Sequence, residues 1–447
     1  MLSPLAEAIS PAPDGCYPAF TTAEGCNALL GLGSGQGNTG IGWYSLFSVG
    51  TGNFNTGLGA GTLALNTADS NTATGAGAIL LNTTGSNNTA NGVDALVFNN
   101  TGGQNTAVGA FALFSNTGGN FNTAAGFFAL HDNTTGSGLT GYGVSALEQN
   151  TSGGFNTALG GNALQANTTG SNNTATGTNA LFSNTTAGDN TATGAAALGA
   201  NTTGEENTAI GSGALGSSTT AGANTAIGSG ALSSDTTGAG NTVVGFAAGN
   251  TTTTGSGNIY IGSQVFGSDS ENNTIRIGAN QTACYVAGIL GETASGGAPV
   301  FVTTGGLLGT VTSSARFKTD IKPMGNTSEA LFALKPVSFR YKKEIDPANT
   351  SQLGLVAEDV EKINPNLVVR DKEGKPYTVR YDQVNAMLLN EFLKEHKTVQ
   401  ELKSIVVRQE AIAAQQQKQI GALTAAVQKV SAQLELNRPT PHTVLNR

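Results

Sequence analysis

A 17-residue motif recurs along most of the N-terminal part of the chain, and this repeat constrains the possible fold more than any other feature. Each copy opens with Asn-Thr, carries glycine four residues after the asparagine and, in most copies, leucine eight residues after it. One copy is degenerate and opens with Leu139-Thr140. The opening asparagines are Asn38, Asn55, Asn71, Asn88, Asn105, Asn122, Asn156, Asn173, Asn190, Asn207, Asn224 and Asn241.

Stacked solenoid coils are the fold that such a repeat predicts, because a 17-residue unit cannot bury an apolar face by itself and is too short for a pair of helices. The glycine is expected to turn the chain, and leucine and the small residue before the glycine to fill the core. Asparagine and threonine are expected to form ladders between coils. No proline lies between Pro18 and Pro299, as a continuous ladder requires. A disordered Gly/Ser/Thr/Asn tract would not keep leucine in register.

Charge divides the chain near residue 313. Residues 1–312 hold one basic residue, Arg276, and 14 acidic ones, whereas residues 313–447 hold 20 basic and 15 acidic ones. The acidic N-terminal part cannot neutralise phosphates, so a nucleic-acid partner is not expected. No run of 18 apolar residues is present, and no membrane-spanning helix is expected.

Metal and cofactor chemistry has few candidate residues. The cysteines are odd in number and form no Cys-x-x-Cys pair, and the three histidines lie far apart in sequence, so neither a metal site nor a bound cofactor is predicted. Two cysteines near the N-terminus either form a disulfide in an oxidising compartment or remain free thiols. The residues are Cys16, Cys26, Cys284, His131, His396 and His442, and the candidate disulfide is Cys16–Cys26.

From Ser313 onward the sequence is typical of a small α/β domain followed by a long helix. Asp382 is expected to cap that helix. Apolar residues recur every seven positions along it, which predicts a coiled coil, and the composition of the seam favours three strands. Strands are predicted at 337–341, 353–356, 367–370 and 377–380, and a short helix at 358–363. One seam consists of Phe392, Val399, Val406, Ala413, Ile420, Val427 and Leu434, and the second of Leu402, Gln409, Gln416, Leu423 and Val430.

The predicted fold class is therefore mainly β: a trimeric parallel β-solenoid, or β-roll, followed by a small α/β domain and a C-terminal coiled coil. The predicted divisions are an N-terminal segment at 1–37, solenoid repeats at 38–262, a β transition region at 263–312, the α/β domain at 313–391, the coiled coil at 392–436 and a tail at 437–447.

Two parts of the chain resemble known families. The pattern Asn-Thr-Ala-x-Gly-x-x-Ala-Leu resembles the head repeats of trimeric autotransporter adhesins, which implies a trimeric, left-handed parallel β-roll. The segments that begin with Ser313-Ser-Ala-Arg-Phe-Lys318, Leu334-Lys-Pro-Val, Gly354-Leu-Val-Ala and Val379-Arg-Tyr-Asp are similar to the intramolecular chaperone domain of endosialidases, found at the ends of phage tail spikes and bacterial fibres.

The second resemblance implies that this domain drives trimerisation of the fibre and then cuts itself off with a Ser/Lys pair. Ser313 and Lys318 occupy those positions, and the scissile bond would join Thr312 to Ser313. The Ser313 hydroxyl would attack the preceding carbonyl, and Lys318 would act as base once neighbouring copies desolvate it. Ser314 stands where the family often has Asp, and Glu358 where it often has Gln.

The predicted function is a homotrimeric fibre, extracellular or on a cell surface or phage tail, with a cell-surface glycan or host surface as its target. One alternative is a passive, uncleaved rod. Another is a polysaccharide-degrading spike, because Asp189 and Glu206 are one repeat apart and glycoside hydrolysis uses two carboxylates. No turnover enzyme is expected, since loop carboxylates on a solenoid are usually solvated.

Overall fold

The computed structural model describes residues 18–286, 298–303 and 306–438. The chain forms two compact units, divided between residues 285 and 286. The described residues of the first unit form one parallel sheet of 16 strands in sequence order, β1 to β16. The strands are Thr22–Glu24, Thr39–Ile41, Thr56–Leu58, Thr72–Thr74, Thr89–Asn91, Thr106–Val108, Thr123–Ala125, Thr140–Tyr142, Thr157–Leu159, Thr174–Thr176, Thr191–Thr193, Thr208–Ile210, Thr225–Ile227, Thr242–Val244, Ile259–Ile261 and Ile275–Ile277.

The register of this sheet follows the sequence repeat. Thr157 of β9 pairs with Thr174 of β10, and each later coil repeats that 17-residue step until β15. The predicted parallel β-solenoid is confirmed. The sheet begins at β1, before the first Asn-Thr motif, because Thr21 stands where later coils have asparagine.

Alanine and leucine fill the core of most coils. The middle residue of the strand points inward, as Ala107 does, and the leucine that follows the turn, such as Leu113, is also fully buried. The residue before the glycine faces outward, as Val108 does with 43% of its surface exposed. The expectation that this residue fills the core is wrong, because successive side chains of a strand alternate between faces.

The glycine after each strand is required on two counts. Gly126 has φ +144°, a conformation that side chains rarely adopt, and a Cβ atom there would lie 2.3 Å from the carbonyl oxygen of Gly143 in the next coil. The coils therefore approach each other too closely at this corner for any other residue.

The opening asparagines form a buried ladder. Asn105 donates from its backbone N–H and its Nδ2 to Oδ1 of Asn88, at 3.0 and 3.1 Å, and Nδ2 also donates to the carbonyl oxygen of Gly119 at 2.9 Å. Leu139, in the degenerate copy, keeps only the backbone bond to Asn122 Oδ1, at 2.9 Å. The predicted ladder is thus confirmed, and it satisfies polar atoms that would otherwise be buried without partners.

A second buried ladder runs eleven residues further along each coil. In a regular rung, Asn201 Nδ2 donates to Asn184 Oδ1 and to the Gly204 carbonyl oxygen, both at 2.9 Å. Three coils near the end of the solenoid replace asparagine with Ser218, Asp235 and Thr252. Most of the buried polar side chains among the described residues of the solenoid belong to these two ladders.

The last coils of the solenoid contain a larger core side chain and an arginine–glutamate ion pair. Tyr260 is fully buried where most earlier coils have alanine, and its hydroxyl donates to Glu271 Oε1 at 3.2 Å. Both carboxylate oxygens of Glu271 accept from the Arg276 guanidinium, at 2.8 and 2.7 Å. That hydrogen-bonded guanidinium lowers the pKa of Glu271 to about 2.

The described residues of the second unit form three antiparallel strand pairs and two α-helices. The pairs are β17 with β18, β19 with β20, and β21 with β22. A small core forms between α1, the last hairpin and the start of α2, and includes Val360, Val379 and Met387. The elements are β17 Val300–Val302, β18 Leu308–Thr310, β19 Val337–Phe339, β20 Gln352–Gly354, α1 Ala357–Ile363, β21 Val368–Arg370, β22 Pro376–Val379 and α2 Tyr381–Leu436.

The long helix α2 begins two residues earlier than expected. Arg380 occupies the N-cap position and Asp382 lies in the first turn, so the prediction that Asp382 is the cap is wrong. The Tyr381 hydroxyl instead anchors this end of the helix by accepting the N–H of Leu355 at 3.0 Å. No helix among the described residues combines the length and apolar character needed to cross a membrane.

Candidate autoproteolytic site

The predicted cleavage segment leads into a single turn of 3-10 helix, Ala315–Phe317. Ser314 precedes this turn in an extended conformation and its carbonyl oxygen accepts the N–H of Phe317 at 3.1 Å. Lys318 follows in an extended conformation and donates its N–H to the carbonyl oxygen of Ala315 at 3.1 Å. Because the chain reverses in this one tight turn, the side chains of Ser313 and Lys318 can come into contact.

The turn brings together the two residues that the sequence analysis selects. Lys318 Nζ donates to Ser313 Oγ at a distance of 3.1 Å. This lies within the range that a general base needs to take a proton from a hydroxyl. Both residues, and Thr312 before them, are exposed in the single chain. The described contacts place a hydroxyl, an amine and the predicted scissile bond next to one another at an open surface.

The side chains next to the pair add a positive charge. The guanidinium of Arg316 stacks over the ring of Phe317, with its carbon 4.6 Å from the ring centre. Ser314, which departs from the family pattern, makes no side-chain hydrogen bond to the turn. Glu358, the other departure, lies in the first turn of α1.

Sequence spacing missed a polar cluster that joins the 3-10 helix Gly325–Ala333 to α2. Ser328 is fully buried and donates to Glu391 Oε1, and Asn390 Nδ2 donates to Ser328 Oγ at 2.6 Å. Lys394 Nζ donates to the same carboxylate at 2.8 Å and, together with Ser328, lowers the pKa of Glu391. Because 63 residues separate Ser328 from Glu391, no local pattern could have shown the cluster.

The two carboxylates of the alternative hydrolase hypothesis occupy equivalent positions on neighbouring coils. Asp189 and Glu206 both precede a ladder asparagine, both have φ +61° and both are exposed. Neither carboxylate has a hydrogen-bond partner within the described residues. The structure therefore places the two acids near each other but provides no polar group that would assign one as acid and the other as base.

The candidate disulfide falls partly outside the described residues, since Cys16 is not among them. Cys26 and Cys284 are exposed free thiols. Within 18–286, 298–303 and 306–438, no group of three or more His, Cys, Asp or Glu side chains has the geometry to hold a metal ion.

Comparison with known proteins assigns part of the second unit. Residues 313–369 match the family model of peptidase S74, described as the chaperone of endosialidase. A comparison with curated proteins gave no match, and a comparison with solved structures gave none either. The chain thus contains a chaperone-of-endosialidase domain that is preceded by a β-solenoid of 17-residue repeats, an arrangement consistent with a fibre protein.

Proposed function

We propose that this protein is a homotrimeric fibre whose C-terminal domain drives trimerisation and then cleaves the Thr312–Ser313 bond. The fibre would act outside the cell, on a bacterial surface or a phage tail, where the solenoid meets a cell-surface glycan or host surface. Support comes from the chaperone domain, from the solenoid and from one further observation on α2.

That observation is the exposed seam of α2. From residue 397 onward every described residue of the helix is exposed in the single chain, including seam residues such as Val406 and Leu423, which are 51% and 70% exposed. Burial of one such side chain contributes about 1.5–3 kcal/mol. A 56-residue helix with a heptad seam is expected to bury it against parallel copies of itself.

The position of the Ser/Lys pair supports the proposed cleavage. Ser313 Oγ would attack the carbonyl carbon of Thr312, the amide nitrogen would leave as a new N-terminus after accepting a proton, and water would hydrolyse the resulting ester. Lys318 can take the hydroxyl proton only as the neutral amine. Burial among three copies would favour that form, which couples cleavage to assembly.

The mass of the uncut protein tests the proposed assembly. The Ser313→Ala chain, which keeps the domains joined, should scatter light as a particle three times the 44.8 kDa of one chain. Val406→Glu, a seam change, should reduce that mass, whereas Ser404→Glu, on the opposite side of the heptad, should not. A monomer for Ser313→Ala would contradict the proposed fibre, since the seam would then have no partner.

A further inference from the structure

The outer face of the solenoid sheet changes character towards its C-terminal end. Because side chains alternate along a strand, the first and third residues of each strand face outward. In β12 to β16 the third residue is always β-branched and apolar. We call this column the outer stripe, and it consists of Ile210, Ile227, Val244, Ile261 and Ile277.

These side chains remain exposed in a single chain. Ile210 and Ile227 are 41% and 38% exposed, and Ile277 at the end of the column is 70% exposed. The first residues of the last two strands, Ile259 and Ile275, widen the patch. The same column is mixed in earlier coils, where it includes polar residues at Thr74, Asn91, Thr176 and Thr193.

The column is straight and lacks charge. Ile210 pairs in register with Ile227, and Ile261 with Ile277, so the side chains stack along the coils. The only charged residue within these five strands is Arg276, the middle residue of β16, which is paired with Glu271. Monomers commonly expose an apolar patch of a few hundred Å², so the register and the lack of charge, rather than the area, mark this column as a contact face.

We propose that the outer stripe is the face through which the three solenoids pack against one another, an inference that rests on the trimeric fibre proposed above. A second copy fits this face because parallel copies in the same register align one apolar column with another, and no charge would be buried. In a cyclic trimer, residues close to the axis approach their own counterparts in the other copies.

The area of the outer stripe shows whether it could hold the trimer together by itself. Five strands at about 4.8 Å give a height of about 24 Å, and three residues give a width of about 10 Å. The resulting area of about 240 Å² is well below the ~800 Å² per partner of a stable interface. The stripe therefore aligns solenoids that the uncleaved α2 helices already hold at a high effective concentration, and it would not start trimerisation without those helices.

Engineered cysteines test the proposal. Ile227→Cys is introduced into a full-length Ser313→Ala chain in which Cys16, Cys26 and Cys284 are replaced by serine. The matched control is Thr220→Cys, which is also exposed but lies on another side of the solenoid, in the preceding coil. Mild oxidation should join two chains of the trimer in the Ile227→Cys protein and leave the Thr220→Cys protein as single chains in denaturing gels.

The mass of the same samples distinguishes a failure of the outer stripe from a failure of the trimeric fibre proposal. A trimer by light scattering with no Ile227→Cys cross-link, or with equal cross-linking in both proteins, overturns the stripe as the interface and leaves the fibre proposal intact. A monomer overturns both. In the trimer, Ile210→Asp should reduce the Ile227→Cys cross-link severalfold because it places three carboxylates in the stripe, and an unchanged yield would also count against the proposal.

Discussion

Replacement of Asp235 by asparagine should stabilise the solenoid at neutral and alkaline pH. Asp235 stands in the second asparagine ladder and is fully buried. Its Oδ1 accepts the N–H of Gly238 at 3.0 Å, but its Oδ2 has no hydrogen-bond partner in the described residues. In a regular rung the corresponding atom is an amide nitrogen that donates to two oxygens, as in Asn201. A carboxylate therefore presents an acceptor where the ladder requires a donor.

The pKa of Asp235 sets the size and sign of the effect. Burial raises this pKa from 3.8 to about 7, against the opposing influence of the Gly238 hydrogen bond. This difference corresponds to about 4 kcal/mol of stability. Below pH 3.8 the carboxyl is protonated in both states and the stability is fully present. Between about pH 4 and pH 7 the unfolded chain ionises first, so the free energy of unfolding falls as the pH rises.

The amide that Asp235→Asn introduces would remain neutral at every pH and would supply the missing donor to the ladder, next to the unpartnered hydroxyl of Ser218. In denaturant unfolding of the Ser313→Ala protein, Asp235→Asn should raise the free energy of unfolding by up to about 4 kcal/mol at about pH 8 and much less at about pH 4. Asp189→Asn, at an exposed site, is the control and should change it little at either pH. Equal effects at the two pH values, or destabilisation at the higher one, would refute the reasoning.

Three further outcomes are expected. Gly126→Ala should prevent formation of soluble solenoid because the new Cβ meets the backbone of the next coil, whereas Gly161→Ala, with nothing within 4 Å, should be tolerated; comparison of soluble yield and circular dichroism checks both. Asp189→Asn with Glu206→Gln should leave any glycan-degrading activity of the purified protein unchanged, and its loss would favour the hydrolase hypothesis. Deletion of 313–447 should give aggregated solenoid in size-exclusion chromatography, since slow, non-local β assembly would lose its nucleus, and a soluble, regular trimer would contradict that role.

The solenoid is predictable from the sequence because a few residue types recur at fixed positions and so define the register of its coils. Asparagine, glycine and leucine recur at fixed positions, and each position has one physical role that the structure confirms. The direction of the residue before the glycine is not predictable in this way, because an apolar residue such as Val108 resembles a core residue more than the smaller Ala107, which does fill the core. The start of the sheet is hidden in the sequence because Thr21 replaces the opening asparagine.

Contacts between distant segments are beyond the reach of the sequence. Ser328 and Glu391 lie on different helices, and nothing in their local sequence marks them as partners. The burial of Asp235, in contrast, can be predicted from the sequence, because Asp235 occupies the position of an asparagine that recurs in earlier copies from Asn66 to Asn201. Ser313 and Lys318 are selected by the resemblance to the chaperone domain, and the tight turn between them brings Lys318 Nζ within 3.1 Å of Ser313 Oγ.

The N-terminal sequence of the small fragment released from the intact protein tests self-cleavage most directly. We predict that the expressed chain separates into two pieces and that the smaller one begins at Ser313. Ser313→Ala removes the nucleophile, and Lys318→Ala or Lys318→Arg removes the base, since a guanidinium does not give up its proton near neutral pH. All three variants should therefore stay whole. A fragment that begins at any other residue, or undiminished cleavage of the Ser313→Ala chain, would contradict the account.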